Sequence, residues 1–420
     1  MNDKLSNAII GFIVGDALGV PVEFQSREKL KSNPVTNMRG FGTYNQPKGT
    51  WSDDSTMTLC LAESLVNGLD YDDICGKFLD WVENGYMTPH DYLFDIGIAT
   101  EKAITRYKKG VTPLECGGES EFDNGNGSLM RILPLVFYTF SMPLKQKFET
   151  VANVSALTHR HMRSKIACSI YVQFACELLK GYGKEKALKQ TINHINDNYR
   201  QEEELEHFSR ILNAKISDLS EDDIQSTGYV VHTLEAVLWC FLNTNNYSDC
   251  VLKAVNLGND TDTIGAITGG LAGVYYGYES IPKDWIESIV KLDLIMNVCS
   301  KFKDTYNPFF EFNKYISILK RKKNEKTHER YDADGNSYMN LFYDMGFVDF
   351  DYLETLRNYN IEENASILIS AIQSANLELL IAINTYFLQQ DRFCEGTIEE
   401  CSKNGTFYKI LNRLKLLEEL

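Results

Sequence analysis

The chain has 420 residues, of which 44% are hydrophobic and 24% are charged, a balance typical of a globular protein with a large core. Forty-two basic against fifty-eight acidic side chains give a formal net charge of -16 at pH 7, which argues against nucleic acid as a partner. Ten cysteines without a Cys-x-x-Cys pair offer no zinc framework and indicate buried thiols in a reducing compartment.

The first predicted element is an apolar N-terminal helix, in MNDKLSNAIIGFIVGDALGVPVEF. It contains Asp16, ends in Glu23, and shows neither a small-residue cleavage site nor an unbroken run of about 18 apolar residues. We interpret it as a core helix, and we expect a cytoplasmic protein with no membrane partner. From here to about Tyr315 apolar residues recur at three- and four-residue spacing, which predicts an all-α domain of roughly 300 residues.

Two segments carry a glycine at every fourth residue, and residues four apart lie on one face of a helix. Because glycine costs about 1 kcal/mol at each position of a helix interior, the pattern predicts that the two helices approach each other, or a common neighbour, very closely. The two sets are Gly11, Gly15 and Gly19, and Gly265, Gly269, Gly273 and Gly277.

The segment GTWSDDSTMTL places Asp53 and Asp54 side by side where an apolar helix begins. One aspartate at a helix start caps free backbone N–H groups and meets the positive end of the helix dipole. Two aspartates flanked by hydroxyl residues exceed what capping requires, and oxygen ligands of this kind suit Mg²⁺, Mn²⁺ or Ca²⁺. On these residues alone, capping and metal binding both remain open.

The segment DNGNGSLMR, from Asp123 to Arg131, contains a Gly-x-Gly loop. Glycine allows a backbone to approach a ligand closely, although a plain helix start is the better explanation of such a loop taken alone. His159 follows in LTHRH and is ambiguous in the same way, because a histidine within a helix is more often structural than functional.

A second acidic cluster occurs in NLGNDTDTIGAITGG, where Asp260 and Asp262 stand at the mouth of another glycine-faced helix. If the N-termini of both helices and Glu23 converge, five carboxylates meet within a few ångströms. Their mutual repulsion would then be severe unless cations neutralised it. Two divalent ions supply four positive charges, nearly the required amount.

The last part of the chain is predicted to be a separate helical unit. The charged stretch LKRKKNEKTHER, Leu319 to Arg330, is interpreted as a solvated connector rather than a nucleic-acid patch. We expect three parts, namely a catalytic domain at 1–315, the connector at 316–330 and a small accessory domain at 331–420. The accessory domain resembles a small helical bacterial domain of unassigned function, and we expect it to dock a protein partner or to influence target choice or assembly.

Five motifs together carry a resemblance to a known family: GDALGVPVEF, GTWSDDSTMTL, GNGSLMRILPL, the pair Thr158–His159 and NLGNDTDTIGAITGGLAG. In this order they resemble the ADP-ribosylglycohydrolase family, of the dinitrogenase-reductase-activating type, from about Ile9 to Pro308. The resemblance implies an orthogonal all-α helical bundle. It also implies two Mg²⁺ or Mn²⁺ ions in a cleft that holds the terminal ribose of an ADP-ribosyl group.

The resemblance further implies roles for individual residues. Glu23 matches the family's mobile glutamate near the metals. The implied metal ligands are Ser52, Asp53, Asp54, Asp260, Asp262 and Thr263. The implied substrate-binding residues are Asn126, Gly127, Ser128, His159, Gly258 and Asn259.

The implied reaction is hydrolysis of the glycosidic bond at C1″ of ADP-ribose attached to a protein side chain. Its expected catalytic residues are Glu23, which handles the water, and Asp53 and Asp262, which act chiefly as ligands. Glu119, Glu121 and Asp123 remain alternative bases.

The sequences of the motifs GTWSDDSTMTL and GNGSLMR resemble the arginine-directed branch of the family more than the serine-directed branch. The resemblance therefore favours an arginine linkage in an ADP-ribosylated protein substrate. Two alternatives stay open. One is an inactive ADP-ribose-binding module, and the other is a hydrolase of a serine-linked, guanidine, nucleic-acid or metabolite substrate.

Overall fold

The computed structural model describes residues 4–305, 309, 311–313, 315–316 and 331–418. Within them the chain forms helices and three isolated β-bridges but no β-strand, so the predicted all-α class is confirmed. Most of the predicted connector lies outside the described residues.

The α-helices before the connector are α1 Lys4–Gly19, α2 Arg27–Ser32, α3 Asp53–Leu65, α4 Tyr71–Asn84, α5 Ile98–Lys108, α6 Pro134–Tyr138, α7 Leu144–Ala156, α8 Met162–Leu179, α9 Lys184–Tyr199, α10 Ser209–Leu212, α11 Val230–Leu242, α12 Tyr247–Val255, α13 Thr261–Tyr276, α14 Lys283–Ser288 and α15 Leu292–Thr305. Short 3-10 turns connect them at Val20–Val22, Gly42–Tyr44, Pro113–Glu115, Glu121–Asp123, Glu203–Phe208, Ile216–Asp218, Glu221–Asp223 and Tyr278–Ser280. The helices after the connector are α16 Tyr331–Asp344, α17 Tyr352–Asn358, α18 Ala365–Ala371, α19 Leu377–Gln390, α20 Thr397–Lys403 and α21 Thr406–Glu418.

Helices α1 and α13 pack backbone against backbone along the two sets of glycines, which confirms the predicted close approach. A Cβ added to Gly15 would lie 2.1 Å from the carbonyl oxygen of Gly265, and one added to Gly11 would lie 2.5 Å from that of Gly269. Real Cβ contacts are essentially never shorter than 3.0 Å, so no larger residue fits. We call this contact the glycine seam, and its members are Gly11, Gly15, Gly19, Gly265, Gly269 and Gly273. Gly277 lies outside it and ends α13 with φ of 82°.

The N-terminal helix is a core element, as predicted. By length and composition Lys4–Val22 could cross a membrane, yet its apolar window is wholly buried inside the fold. Every residue of α1 after Lys4 is buried, because α13 covers one face and other helices cover the rest.

Helices α16 to α21 do not stand apart from the rest of the structure, because residues of this part contact α8 and α9. Asp349, in the loop after α16, is fully buried. It accepts hydrogen bonds from Lys186 Nζ at 2.8 Å and Gln190 Nε2 at 3.2 Å, both on α9, and from Thr355 Oγ1 at 2.6 Å. Lys180, at the end of α8, donates to the carbonyl oxygen of Gly346 at 2.6 Å. This buried polar contact fixes the C-terminal helices against α8 and α9.

Candidate active site

The N-termini of α3 and α13 meet at one cavity of about 320 Å³. The glycine seam lays the start of α13 against the end of α1, and Glu23, which follows α1, lines the same cavity. The carboxylates predicted to converge do so, and a sixth joins them. The six that line the cavity are Glu23, Asp53, Asp54, Asp95, Asp260 and Asp262. The other lining residues include Phe24, Ile96, Ile98, Thr100, Asn126, Met130, His159 and Thr263, together with Gly97, Gly125, Gly127 and Gly228. Among the described residues of the lining there is no lysine or arginine.

The start of α3 is organised by Asp16, a residue that the sequence reasoning did not select. Its buried carboxylate accepts from the backbone N–H of Ser52 at 3.0 Å, the N–H of Ser55 at 3.1 Å and the hydroxyl of Ser55 at 2.5 Å. Ser52 Oγ accepts in turn from the N–H of Asp54 at 3.3 Å and is the N-cap. Since Ser52 and Asp16 satisfy the helix start, Asp53 and Asp54 are not needed as caps.

Two groups of oxygen atoms line the cavity. Carboxylate oxygens of Glu23, Asp260 and Asp262 lie within 4.8 Å of one another, a spacing at which they could hold a metal ion. Asp54 Oδ2 accepts from the hydroxyls of Ser52 at 3.1 Å and Thr263 at 3.3 Å. Five of the six implied metal-binding residues therefore line this cavity, and the sixth, Ser52, is hydrogen-bonded to Asp54.

Two buried carboxylate oxygens at this site, Glu23 Oε2 and Asp54 Oδ1, have no hydrogen-bond partner in the described part of the chain. An unpaired buried acceptor is costly, and hard divalent cations prefer oxygen donors of this type. The donor set of the cavity therefore fits a hard metal ion.

Without a bound cation, burial and mutual repulsion disfavour the ionised form of the carboxylates at this site. Burial and, next to it, the neighbouring charge of Asp95 together raise the pKa of Glu23 to about 8. Burial, followed by the charge of Asp95, raises the pKa of Asp53, while burial and the charge of Glu23 raise that of Asp262. A bound cation reverses this by favouring the ionised forms.

Asp95 is the functional candidate that sequence reasoning missed. It lies in the loop between α4 and α5, outside any recognisable motif, and burial raises its pKa. The Tyr44 hydroxyl interacts with both Glu23 and Asp95 and favours the ionised form of each, so it connects two carboxylates on one side of the cavity. Only the tertiary fold brings them together, because 72 positions separate the two acids.

The Gly-x-Gly loop forms another wall of the cavity, beside His159. A Cβ on Gly127 would lie 2.8 Å from His159 Cε1 and 3.0 Å from Thr100 Oγ1, so the imidazole requires a glycine there. Thr158 Oγ1 lies 2.8 Å from His159 Nδ1, and burial lowers the pKa of His159 to about 3. The ring is therefore neutral at physiological pH.

Asn126 holds this loop against the carboxylates. Its Nδ2 donates to Asp260 Oδ2 at 2.7 Å and to Thr233 Oγ1 at 3.0 Å. From beneath, the fully buried Arg131 donates to the carbonyl oxygen of Gly127 at 2.5 Å. Asn126 therefore orients a carboxylate directly.

Three residues expected to bind substrate, namely Ser128, Gly258 and Asn259, lie outside the cavity lining. Ser128 Oγ is buried and accepts from Ser155 Oγ at 2.9 Å. Asn259 Nδ2 donates a hydrogen bond to Ser226 Oγ at 3.1 Å. Gly258, with φ of 78°, packs against the backbone of Gln25 and Arg27. Asn259 and Gly258 therefore shape the chain before α13.

The three alternative bases also lie outside the lining. Glu119 is exposed and pairs with Arg160 at 2.6 Å, while Glu121 is exposed. Asp123 accepts from Ser120 in a capping box, and that hydrogen bond lowers its pKa. None of them faces the acidic cavity.

Comparison with known proteins agrees with this geometry. Residues 1–308 match the model of the ADP-ribosylglycohydrolase family, and residues 317–419 match a family of unknown function, DUF6508. The ADP-ribosylarginine hydrolase Tri1 of Serratia proteamaculans is 33% identical over 310 residues, which are 71% of this chain and 78% of the relative. The ADP-ribosyl-[dinitrogen reductase] glycohydrolase of Rhodospirillum rubrum is 31% identical over 70% of this chain and 92% of its own length.

A solved structure gives the same result. The chain named in an "ADP-ribosylglycohydrolase-related protein complex" superposes with a TM-score of 0.60 at 29% identity, over 72% of this chain and 97% of that one. The family resemblance and the fold implied by the five motifs are confirmed. The chain belongs to the ADP-ribosylglycohydrolase family and is a glycohydrolase that removes ADP-ribose.

Proposed function

We propose that this enzyme is a metal-dependent hydrolase that removes ADP-ribose from modified arginine side chains of proteins. The observation that carries the proposal is the cavity itself, in which six carboxylates converge with no basic side chain among the described lining residues. Such a site favours cations, both as bound metals and as a positively charged leaving group.

Two divalent cations, Mg²⁺ or Mn²⁺, are proposed to be held by the oxygen side chains of Ser52, Asp53, Asp54, Asp260, Asp262 and Thr263. When bound, they would supply charge neutralisation and fix the ribose hydroxyls. Asn126 keeps Asp260 oriented, and Asp16 keeps the turn at Ser52 in place.

The proton transfers are assigned to carboxylates on the Glu23 side. Glu23 is proposed to accept a proton from the water that attacks C1″, while the bond from C1″ to the guanidinium nitrogen breaks and its electron pair leaves with a neutral guanidine, which then takes up a proton. Asp95 shares the Tyr44 hydroxyl with Glu23 and is the second candidate for moving a proton there. Asp53 and Asp262 act chiefly as ligands.

The arginine linkage is favoured over the alternatives by charge. A guanidinium leaving group is cationic, whereas a serine-linked group is neutral and gains little from an acidic cavity. A nucleic-acid substrate is disfavoured because the described lining offers no basic side chain to a phosphate backbone. An inactive binding module is disfavoured because all the proposed metal-binding side chains are present.

Domain organisation and location complete the proposal. We propose a catalytic domain at 1–315, a connector at 316–330 and an accessory domain at 331–420 that influences target choice, assembly or the docking of a protein partner. All ten cysteines lie in the described part of the chain and none forms a disulfide, which supports a cytoplasmic location.

The test is release of free ADP-ribose from arginine-ADP-ribosylated protein with Mg²⁺, with Mn²⁺ and with EDTA. Asp53→Asn and Asp262→Asn should each abolish release. Asp123→Asn, which removes an aspartate outside the cavity, serves as the matched control and should retain activity. Release that persists in EDTA would contradict the metal assignment, and no release from arginine-linked protein under any condition would contradict the substrate.

A further inference from the structure

An aromatic strip lies beside the acidic cavity, formed by Phe24, Tyr44 and Phe94. The rings of Phe24 and Tyr44 are 6.4 Å apart between centroids, and those of Tyr44 and Phe94 are 5.3 Å apart in an edge-to-face arrangement. Phe24 lines the cavity, yet 70% of its surface is exposed. A large apolar ring is therefore presented to solvent directly after Glu23.

The backbone at Phe24 is held in an uncommon conformation. Its φ is 62°, in the left-handed region that bulky residues rarely adopt. Two hydrogen bonds fix it there, from the N–H of Phe24 to the carbonyl oxygen of Asn259 at 2.7 Å and from Thr43 Oγ1 to the carbonyl oxygen of Glu23 at 2.7 Å. Strain that the surroundings maintain in this way is characteristic of functional positions.

The chemistry on this side of the cavity combines an aromatic face with two carboxylates. Tyr44 connects Glu23 to Asp95, and Phe24 follows Glu23 in the chain. A guanidinium is planar, carries five donors for carboxylates and stacks on aromatic faces. A neutral hydroxyl-derived leaving group has neither property.

We propose that Phe24 is a specificity-determining residue that stacks its ring on the guanidinium of the ADP-ribosylated arginine. This inference rests on the proposed function and goes further, because it names the side chain that separates arginine-linked from neutral linkages. With the ribose at the carboxylate cluster, as the proposed function has it, Phe24 is the large apolar ring that lines the cavity directly after Glu23 and is exposed to the attached side chain. Tyr44, whose ring lies against both Phe24 and Phe94, is a positioning residue.

The experiment compares Phe24→Leu, which keeps apolar bulk but removes the aromatic face, with Phe24→Tyr and Phe24→Trp, which restore it. Phe41→Leu is the matched control, because Phe41 is 61% exposed and has φ of 65° but does not line the cavity. Two quantities are measured in the full chain with saturating metal. They are kcat/KM for arginine-ADP-ribosylated peptide and the Kd of free ADP-ribose by calorimetry.

Phe24→Leu should lower kcat/KM for the arginine-linked peptide roughly three- to thirtyfold, the range expected for a cation–π contact. The Kd of ADP-ribose, which has no guanidinium, should stay within about twofold, and the Tyr and Trp variants and Phe41→Leu should keep near wild-type rates. The inference is overturned if Phe24→Leu retains full activity, or if it weakens ADP-ribose binding by the same factor.

Failure of the proposed function gives a different pattern. In that case the wild-type enzyme releases ADP-ribose from serine-linked but not from arginine-linked peptide. That result removes the guanidinium from the reaction and overturns the role of Phe24 as well.

Discussion

Replacing Gly15 by alanine tests whether the glycine seam positions the active site. The added methyl carbon would lie 2.1 Å from the carbonyl oxygen of Gly265, so α1 and α13 must separate by about 0.9 Å to reach the 3.0 Å minimum. Alanine itself favours a helix over glycine by about 1 kcal/mol, whereas overpacking a rigid core costs about 1–3 kcal/mol. Since the contacting atoms are backbone, we expect the upper part of that range and a net loss of about 1–2 kcal/mol.

The functional effect of Gly15→Ala should exceed the effect on stability. The seam sets the distance between Glu23 and Asp262, and a displacement near 1 Å can cost on the order of 10²-fold in rate. The assay is thermal unfolding of the metal-loaded protein together with ADP-ribose release.

Gly76→Ala in α4 is the control for this substitution, because the nearest heavy atom to its added Cβ lies 4.0 Å away. It should raise stability by up to about 1 kcal/mol and leave the rate unchanged. If Gly15→Ala matched Gly76→Ala in both measurements, the reasoning about the seam would be wrong.

Three further predictions concern buried side chains. Asp16→Asn should weaken Mn²⁺ binding roughly 10- to 100-fold with the fold retained, because the amide keeps only one of the two oxygens that accept from Ser52 and Ser55, and a calorimetric Kd equal to wild type would refute this. Asp349→Ala leaves Lys186 without its buried partner and should cost about 3–5 kcal/mol in unfolding free energy, whereas Asp351→Ala, which removes a more exposed pair, should cost under about 1 kcal/mol. The pKa of His159 is about 3 in the folded state and about 6.5 in the unfolded state. Because the unfolded chain binds a proton more readily, the contribution of His159 to the free energy of unfolding is complete above pH 6.5 and decreases as the pH drops. By pH 5 the loss should be about 2 kcal/mol, and His159→Gln should remove that part of the pH dependence in unfolding experiments.

The parts of the site that lie on helix starts could be predicted from sequence. Asp53 stands at the start of α3 and Asp262 at the start of the glycine-faced α13, and the four-residue glycine spacing indicates that α13 touches α1. Once the end of α1 meets the start of α13, Glu23, which follows α1, has to lie near Asp262. The short-range pattern therefore contains enough information for this half of the cavity.

Other residues could not be predicted because their roles depend on tertiary contacts. Asp95 lies in an irregular loop, and only the fold brings it beside Tyr44 and Glu23. Asp16 reads as one acid in an apolar helix, while its partners are 36 to 39 residues away. Conversely, Asn259 and Ser128 belong to motifs that contain cavity-lining residues, but they do not line the cavity themselves. Their side chains form hydrogen bonds with Ser226 and Ser155 instead.

The glycine seam also restricts how this scaffold can change over evolution. Its contacts run from carbonyl oxygen to Cα, so no side chain can switch rotamer to absorb a substitution, and almost any replacement moves two helices at once. The carboxylates at its end inherit that rigidity. New substrate preferences must therefore arise in the surrounding loops, such as the turn that carries Phe24, while these carboxylates stay in place.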